Sequence, residues 1–166
     1  MIIFLIGFMG SGKSTTGKKL AGRLGYAFLD TDRQIAREFG MNINEIFDRL
    51  GESRFRESEA RLLKEIILRR NVVVSTGGGL PCHGDNMDII NRNGVSIYLK
   101  LSPSDLYQRL SGGKRKRPLI RDLSDSELLR YIERKLSERE FYYLQSRFTV
   151  DGRNPNLDEL VGLLRD

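Results

Sequence analysis

The chain has no tryptophan, one cysteine, one histidine and four prolines in its 166 residues. A single cysteine excludes a disulfide within the chain, and Cys82 beside the lone His83 falls short of the four ligands of a structural zinc site. Both read as ordinary loop residues. No transmembrane segment, internal repeat or low-complexity tract is visible. The apolar start MIIFLIGFMG carries neither a basic leader nor a small-residue cleavage site and runs straight into SGKST, so it reads as a buried first strand. A cytoplasmic protein without membrane attachment is the expectation. What is present, 39% hydrophobic and 30% charged residues, is the composition of a soluble globular domain. A chain of this length makes one domain and buries roughly 70% of its unfolded surface. The formal net charge of +6 favours anionic partners: a nucleotide, an acidic metabolite or nucleic acid.

Strand and helix patterns alternate along the chain, which predicts an α/β fold with a parallel sheet covered by helices on both faces. Strands are predicted at 2–6, 26–30, 72–76, 95–101 and 148–151; helices at 13–24, 32–39, 43–50, 53–70, 84–91, 104–110, 125–145 and 157–164. Three helical patterns fill the stretch between Asp30 and Val72, too much for a simple crossover, and an insertion of this kind often holds an acceptor substrate. Residues 111–125, SGGKRKRPLIRDLSD, combine paired glycines with four consecutive basic residues. They read either as a mobile lid over an anion or as a solvated basic loop.

GFMGSGKS fits G-x-x-x-x-G-K-[ST] at Gly7, Gly12, Lys13 and Ser14, between a buried strand and a helix, the context a phosphate-binding loop requires. Backbone N–H groups and the helix N-terminus would cradle phosphates, Lys13 would reach the β and γ groups, Ser14 would bind Mg²⁺, and Thr15 would add an α-phosphate contact. In FLDTD, Asp30 and Asp32 would point the same way if the strand persisted; the alternative is a helix-capping role, with Asp32 as the cap of the next helix. Arg56 and Glu59 are three apart on a helical pattern and could pair, most simply at the surface, while Phe47 and Phe55 read as core. After the third strand the chain offers Ser75, Thr76 and three glycines where P-loop proteins commonly carry a metal-holding Asp, which shifts that task to Asp30 or Asp32. Arg139 and Tyr143 sit at i, i+4 on an amphipathic pattern. Arg139 either lies on a solvated face or presents a planar fork to a substrate carboxylate.

In order and spacing, GFMGSGKS, the LDTD pair, GE-x-x-FR-x-x-E, the TGGG loop, RPLI and Arg139 with Tyr143 resemble the shikimate kinase family over nearly the whole chain. That resemblance implies a P-loop fold of the nucleoside-monophosphate-kinase-like type with strand order 2-3-1-4-5. It implies one domain, 1–166, with a shikimate-binding insertion at 32–60 and a lid at 111–125. The implied reaction moves the γ-phosphoryl group of ATP to the 3-hydroxyl of shikimate with Mg²⁺, on the route to chorismate and the aromatic amino acids, in a monomer. By position, Lys13, Asp32 and Arg117 are implied as catalytic. Gly10, Ser11, Gly12, Lys13, Ser14, Thr15, Arg109, Arg117, Arg153, Asn154 and Pro155 are implied for ATP. For shikimate the resemblance implies Asp32, Phe47, Phe55, Arg56, Glu59, Gly77, Gly78, Gly79 and Arg139; for the metal, Ser14 and Asp30. One departure is expected at the adenine, where Leu110 stands in place of the family's stacking arginine and Arg109 comes one residue early. Asp32, near Lys13, Arg117 and Mg²⁺, is expected to stay ionised and to act as a weak base that mainly orients the hydroxyl.

Other small P-loop kinases, for gluconate or a nucleoside monophosphate, share the first motif. No N-K-x-D guanine motif occurs, which disfavours a GTPase. A nucleic-acid-binding ATPase would want aromatic residues among the basic run at 114–117, and none are there.

Overall fold

The computed structural model describes residues 1–113 and 120–165. Its five-stranded sheet has the order β2-β3-β1-β4-β5 with every pairing parallel. The expected P-loop topology is therefore observed. β1 (Ile2–Ile6) lies between β3 (Val72–Ser75) and β4 (Val95–Lys100), and its five residues are all buried, as a central parallel strand covered on both faces demands. β2 (Ala27–Asp30) and β5 (Phe148–Asp151) form the edges; β5 alternates in exposure, and in β2 only Leu29 is buried.

Successive β1 residues feed two cores. Ile2, Phe4 and Ile6 join Ile35, Ile46, Leu62, Leu63, Leu106 and Ile132 on one face; Ile3 and Leu5 join Leu20, Ala21, Val73 and Leu160 on the other. The second face is covered by α1 (Lys13–Leu24) and α8 (Leu157–Leu163). Over the first face lie α2 (Thr31–Phe39), α3 (Ile43–Leu50), α4 (Glu52–Ile66), α5 (Asn86–Asn93), α6 (Pro103–Gly112) and α7 (Asp125–Tyr143). The long connection between β2 and β3 thus carries three helices, as expected.

Boundaries differ where turn chemistry overrides periodicity. α4 stops at Ile66, because Asn71 at φ 54° turns the chain into β3. α5 begins two residues late, after a single 3-10 turn at Leu80–Cys82 whose end is tied down by Asn86 Nδ2 donating 2.9 Å to Leu80 O. α7 starts where Ser124 and Glu127 form a capping box. Gly112 ends α6 as a helical residue and Gly113 follows as its cap. The rest of the expected hinge and basic run, 114–119 with Arg117, lies outside the described residues.

α1 packs so closely on the sheet that a Cβ on Gly17 would sit 2.6 Å from Phe28 Cε2 and 3.2 Å from Leu5 Cδ1. Gly17→Ala is expected to destabilise the fold by about 1–2 kcal/mol in urea titrations: overpacking costs up to ~3 kcal/mol and the gain in helix propensity returns only about 1. A stabilised variant would show that Phe28 yields freely.

Candidate active site

After β1 the chain turns through Gly10 (φ 78°) and Gly12 (φ 90°), left-handed conformations that glycine adopts without strain. At Gly10 a side chain is also blocked by Leu110, whose Cδ2 would lie 2.9 Å from its Cβ. No side chain caps α1, so its first N–H groups point into a cavity of about 360 Å³ at the carboxyl edge of the sheet. Lys13 is buried beneath the loop and donates 2.8 Å bonds to both Gly7 O and Phe8 O, which arches the loop around its own ammonium. Ser11 Oγ is buried there without a hydrogen-bond partner.

Ser14 Oγ donates to Asp30 Oδ2 at 2.6 Å and lies 3.2 Å from Ser75 Oγ. Asp30 and Ser75 are register partners across β2 and β3, so the sheet itself sets these oxygens together. An all-oxygen set with one carboxylate suits Mg²⁺, which keeps most of its waters and takes phosphate oxygens. Among the described residues no cluster of three His, Cys, Asp or Glu offers a metal cage.

The Asp pair converges by a different route from period-two strand geometry. β2 ends at Asp30, which caps α2 by accepting from Arg33 N at 3.2 Å, and Asp32 occupies the first turn of α2. Both carboxylates line the cavity all the same. Capping and site placement are thus one arrangement, with Asp30 rather than Asp32 as the cap.

Arg56 and Glu59 form an inward pair: Arg56 Nη1 donates 2.7 Å to Glu59 Oε2, and Glu59 is 1% exposed. The outer edge of the guanidinium meets Glu52 at 3.3 Å, a carboxylate 60% exposed and therefore easily displaced. Phe55 is buried and Phe47 half-buried, with ring centroids 4.8 Å apart, and the Arg56 guanidinium lies 5.8 and 5.2 Å from Phe47 and Phe55. Arg139 likewise turns inward, 5.7 Å from the Phe8 ring, with Nη1 3.2 Å from the point where a Gly78 Cβ would stand. Tyr143 is wholly buried and donates a 2.6 Å bond to Gly78 O. Side chains at Gly77 or Gly79 would collide with the Asp32 carboxylate and the Arg56 guanidinium respectively, so the glycines let these groups approach the loop.

Thr31 and Ser75 belong to this construction although sequence reasoning passed over them as site residues. Thr31 Oγ1, fully buried, accepts from Gly77 N at 2.8 Å and ties the glycine loop to α2. Its position between the two aspartates was the available signal.

A smaller cavity of about 220 Å³ is lined by Thr15, Lys19, Arg109, Arg153, Asn154 and Pro155. Arg109 donates to Gly152 O at 3.0 Å and Arg153 O at 2.8 Å, and Arg153 is clamped on Asp151. Leu110 is fully buried as the i+4 partner of Leu106, so Arg109 is the residue that α6 presents to the pocket. Arg117 lies outside the described residues.

Burial raises the Asp32 carboxyl above its ordinary value and nearby Asp30 adds to this, against the pull of Lys13, Arg56 and Arg139. Removal from water outweighs these cations in setting the direction. Glu59 is pushed up to about 7, mainly by burial. Burial also lifts the Cys82 thiol to about 11, which leaves it inert.

The family model described as shikimate kinase matches residues 9–163. The chain belongs to the shikimate kinase family. A curated shikimate kinase from Bacteroides thetaiotaomicron is 40% identical over 158 residues, covering 95% of this chain and 87% of that protein. The crystal structure of shikimate kinase from the same species superposes with a TM-score of 0.94 at 36% identity, covering 100% of this chain and 99% of the other. Shikimate kinase from Acinetobacter baumannii, solved in complex with shikimate, gives 0.83 at 32% identity, covering 99% of this chain and 90% of that one. This chain is accordingly an ATP-dependent small-molecule kinase.

Proposed function

We propose that this shikimate kinase family member transfers the γ-phosphoryl group of ATP to the 3-hydroxyl of shikimate, and that the residues placed above perform the transfer. The observation that carries the reading is the convergence on Asp32 of Lys13 from the phosphate loop and of Arg56 and Arg139 from the acceptor wall. A hydroxy acid is the ligand that uses both halves: its carboxylate meets the two guanidinium groups and a hydroxyl meets Asp32.

Phosphoryl transfer asks for in-line positioning and neutralisation of charge on the phosphoryl oxygens. The loop N–H groups, Lys13 and the N-terminus of α1 provide fixed positive potential. Arg117 is proposed to add to it from a lid at 111–125. Ser14 and Asp30 would hold Mg²⁺, which would supply positive charge to offset that of the phosphate oxygens. Asp32 accepts the hydroxyl's hydrogen bond and orients its lone pair, and its raised affinity for a proton suits it to receive that proton as the new O–P bond forms. Arg109, Arg153, Asn154 and Pro155 flank the base. Action as a cytoplasmic monomer belongs to the same proposal; among the described residues no helix is long and apolar enough to cross a membrane.

The test is ADP release from the purified protein with Mg²⁺ and ATP, comparing shikimate, gluconate, CMP and no acceptor, with the product identified by mass. Strong stimulation by shikimate alone, with a product one phosphoryl group heavier, is expected. Stimulation by gluconate or CMP in its place would remove the acceptor assignment.

A further inference from the structure

We propose that Glu59 takes up a proton from solvent as an acceptor carboxylate docks on Arg56 and Arg139, and releases it when that carboxylate leaves. The inference rests on the acceptor reading above. Its basis is an imbalance in a closed space. Glu59 is 1% exposed; one oxygen is held by Arg56, while the other, Oε1, is buried with no hydrogen-bond partner. That orphaned oxygen lies 3.2 Å from where a Gly77 Cβ would stand, and the Asp32 carboxylate lies closer still to the same point. Two carboxyl groups thus approach each other across a glycine that leaves them room to do so.

The charged and titratable groups around Glu59 come from four elements. α4 supplies Arg56 and, on its outer edge, Glu52; α2 supplies Asp32; α7 supplies Arg139; the 3-10 turn and the residue after it supply Cys82 and His83. Two cations already face Glu59, Asp32 and Glu52. A docking carboxylate adds a further anion and draws on the very guanidinium groups that offset Glu59. Asp32 also feels Lys13, whose charge favours its ionised form, whereas Glu59, among the described residues, is offset by the two arginines that the ligand engages. Protonation of Glu59 restores the balance and turns Oε1 into a donor in the space it shares with Asp32.

In the empty pocket burial, reinforced by Asp32, already lifts Glu59 to about 7. Uptake should therefore be about half a proton at pH 7 and approach one near pH 8. His83 is held below its ordinary value by burial and Arg56, and Cys82 stands at about 11; Asp32 is raised as well, so the Glu59→Gln variant is what assigns the uptake to Glu59.

The experiment is calorimetry of shikimate binding without nucleotide, run in phosphate and in Tris so that the difference in heat counts protons. Wild type at pH 8 is expected to take up nearly one proton, and Glu59→Gln almost none. Wild-type affinity should fall by up to tenfold per unit between pH 7 and 9, while that of Glu59→Gln stays flat. If Glu59→Gln does not fold, carbon-13 shifts of the glutamate carboxyls in the wild type report the same event, one buried glutamate moving to its protonated value as shikimate is added. Binding without proton uptake, uptake undiminished in Glu59→Gln, or no moving glutamate resonance would overturn the inference and leave the acceptor assignment intact. Absence of any shikimate binding would instead overturn the acceptor assignment, and this inference with it.

Discussion

Asp32→Ala is expected to lower turnover with shikimate by 10²–10⁴-fold, the usual range for a positioned acid–base group, while ATP affinity stays within about twofold. The separation follows from placement. Asp32 stands on α2, on the side proposed to take the acceptor, whereas the phosphates are proposed to sit in the loop between β1 and α1. The same substitution should raise the melting temperature at pH 8. Asp32 binds a proton more tightly in the folded chain than in the unfolded one, so its ionisation costs stability as the pH rises through the folded value. Removing the carboxyl removes that cost, and the gain over wild type should shrink toward pH 4. A variant that is more stable and nearly inactive would mark a group kept for chemistry at the expense of the fold. Unchanged turnover would strip Asp32 of its role.

Arg139→Ala should weaken shikimate use by roughly 100-fold in kcat/KM, about 3 kcal/mol, since truncating one partner of a buried charge pair costs about 2–5 kcal/mol. Its guanidinium reaches the Gly78 backbone and the Phe8 ring from α7, which holds it beside Arg56 over the acceptor wall. ATP affinity should hold, and an acceptor analogue lacking the carboxylate should lose little further. If the analogue suffers as much as shikimate, Arg139 acts on the fold or the phosphates and its assignment fails. The measurement is steady-state kinetics with each acceptor, beside a thermal melt of the variant.

Much of this protein is legible in one dimension because its signals are local. The Gly-Lys-Ser turn between a buried strand and a helix specifies a phosphate cradle from backbone chemistry alone. Alternating apolar runs placed all five strands, β1 and β5 without any shift and the other three to within one residue at one end. Helix ends were less legible where a turn decided them, as at Asn71 after α4 and at the 3-10 turn before α5. Arg56 with Glu59, and Arg139 with Tyr143, could be read as surface or as site, because spacing of three or four fixes a shared face without saying which way that face looks.

Tertiary packing settled what spacing left open. Leu110 goes into the core and leaves Arg109 at the smaller cavity, hydrogen-bonded to the Arg153 backbone. Asp30 and Ser75 meet through sheet register, Thr31 reaches Gly77 across two elements, and burial rather than neighbouring charge sets the direction for Asp32 and Glu59. The sequence by itself determined the fold class, the phosphate loop and the family. Only the three-dimensional structure decided which charged groups face one another out of water, because desolvation depends on what surrounds a side chain from every direction, and the chain order records only its neighbours along one.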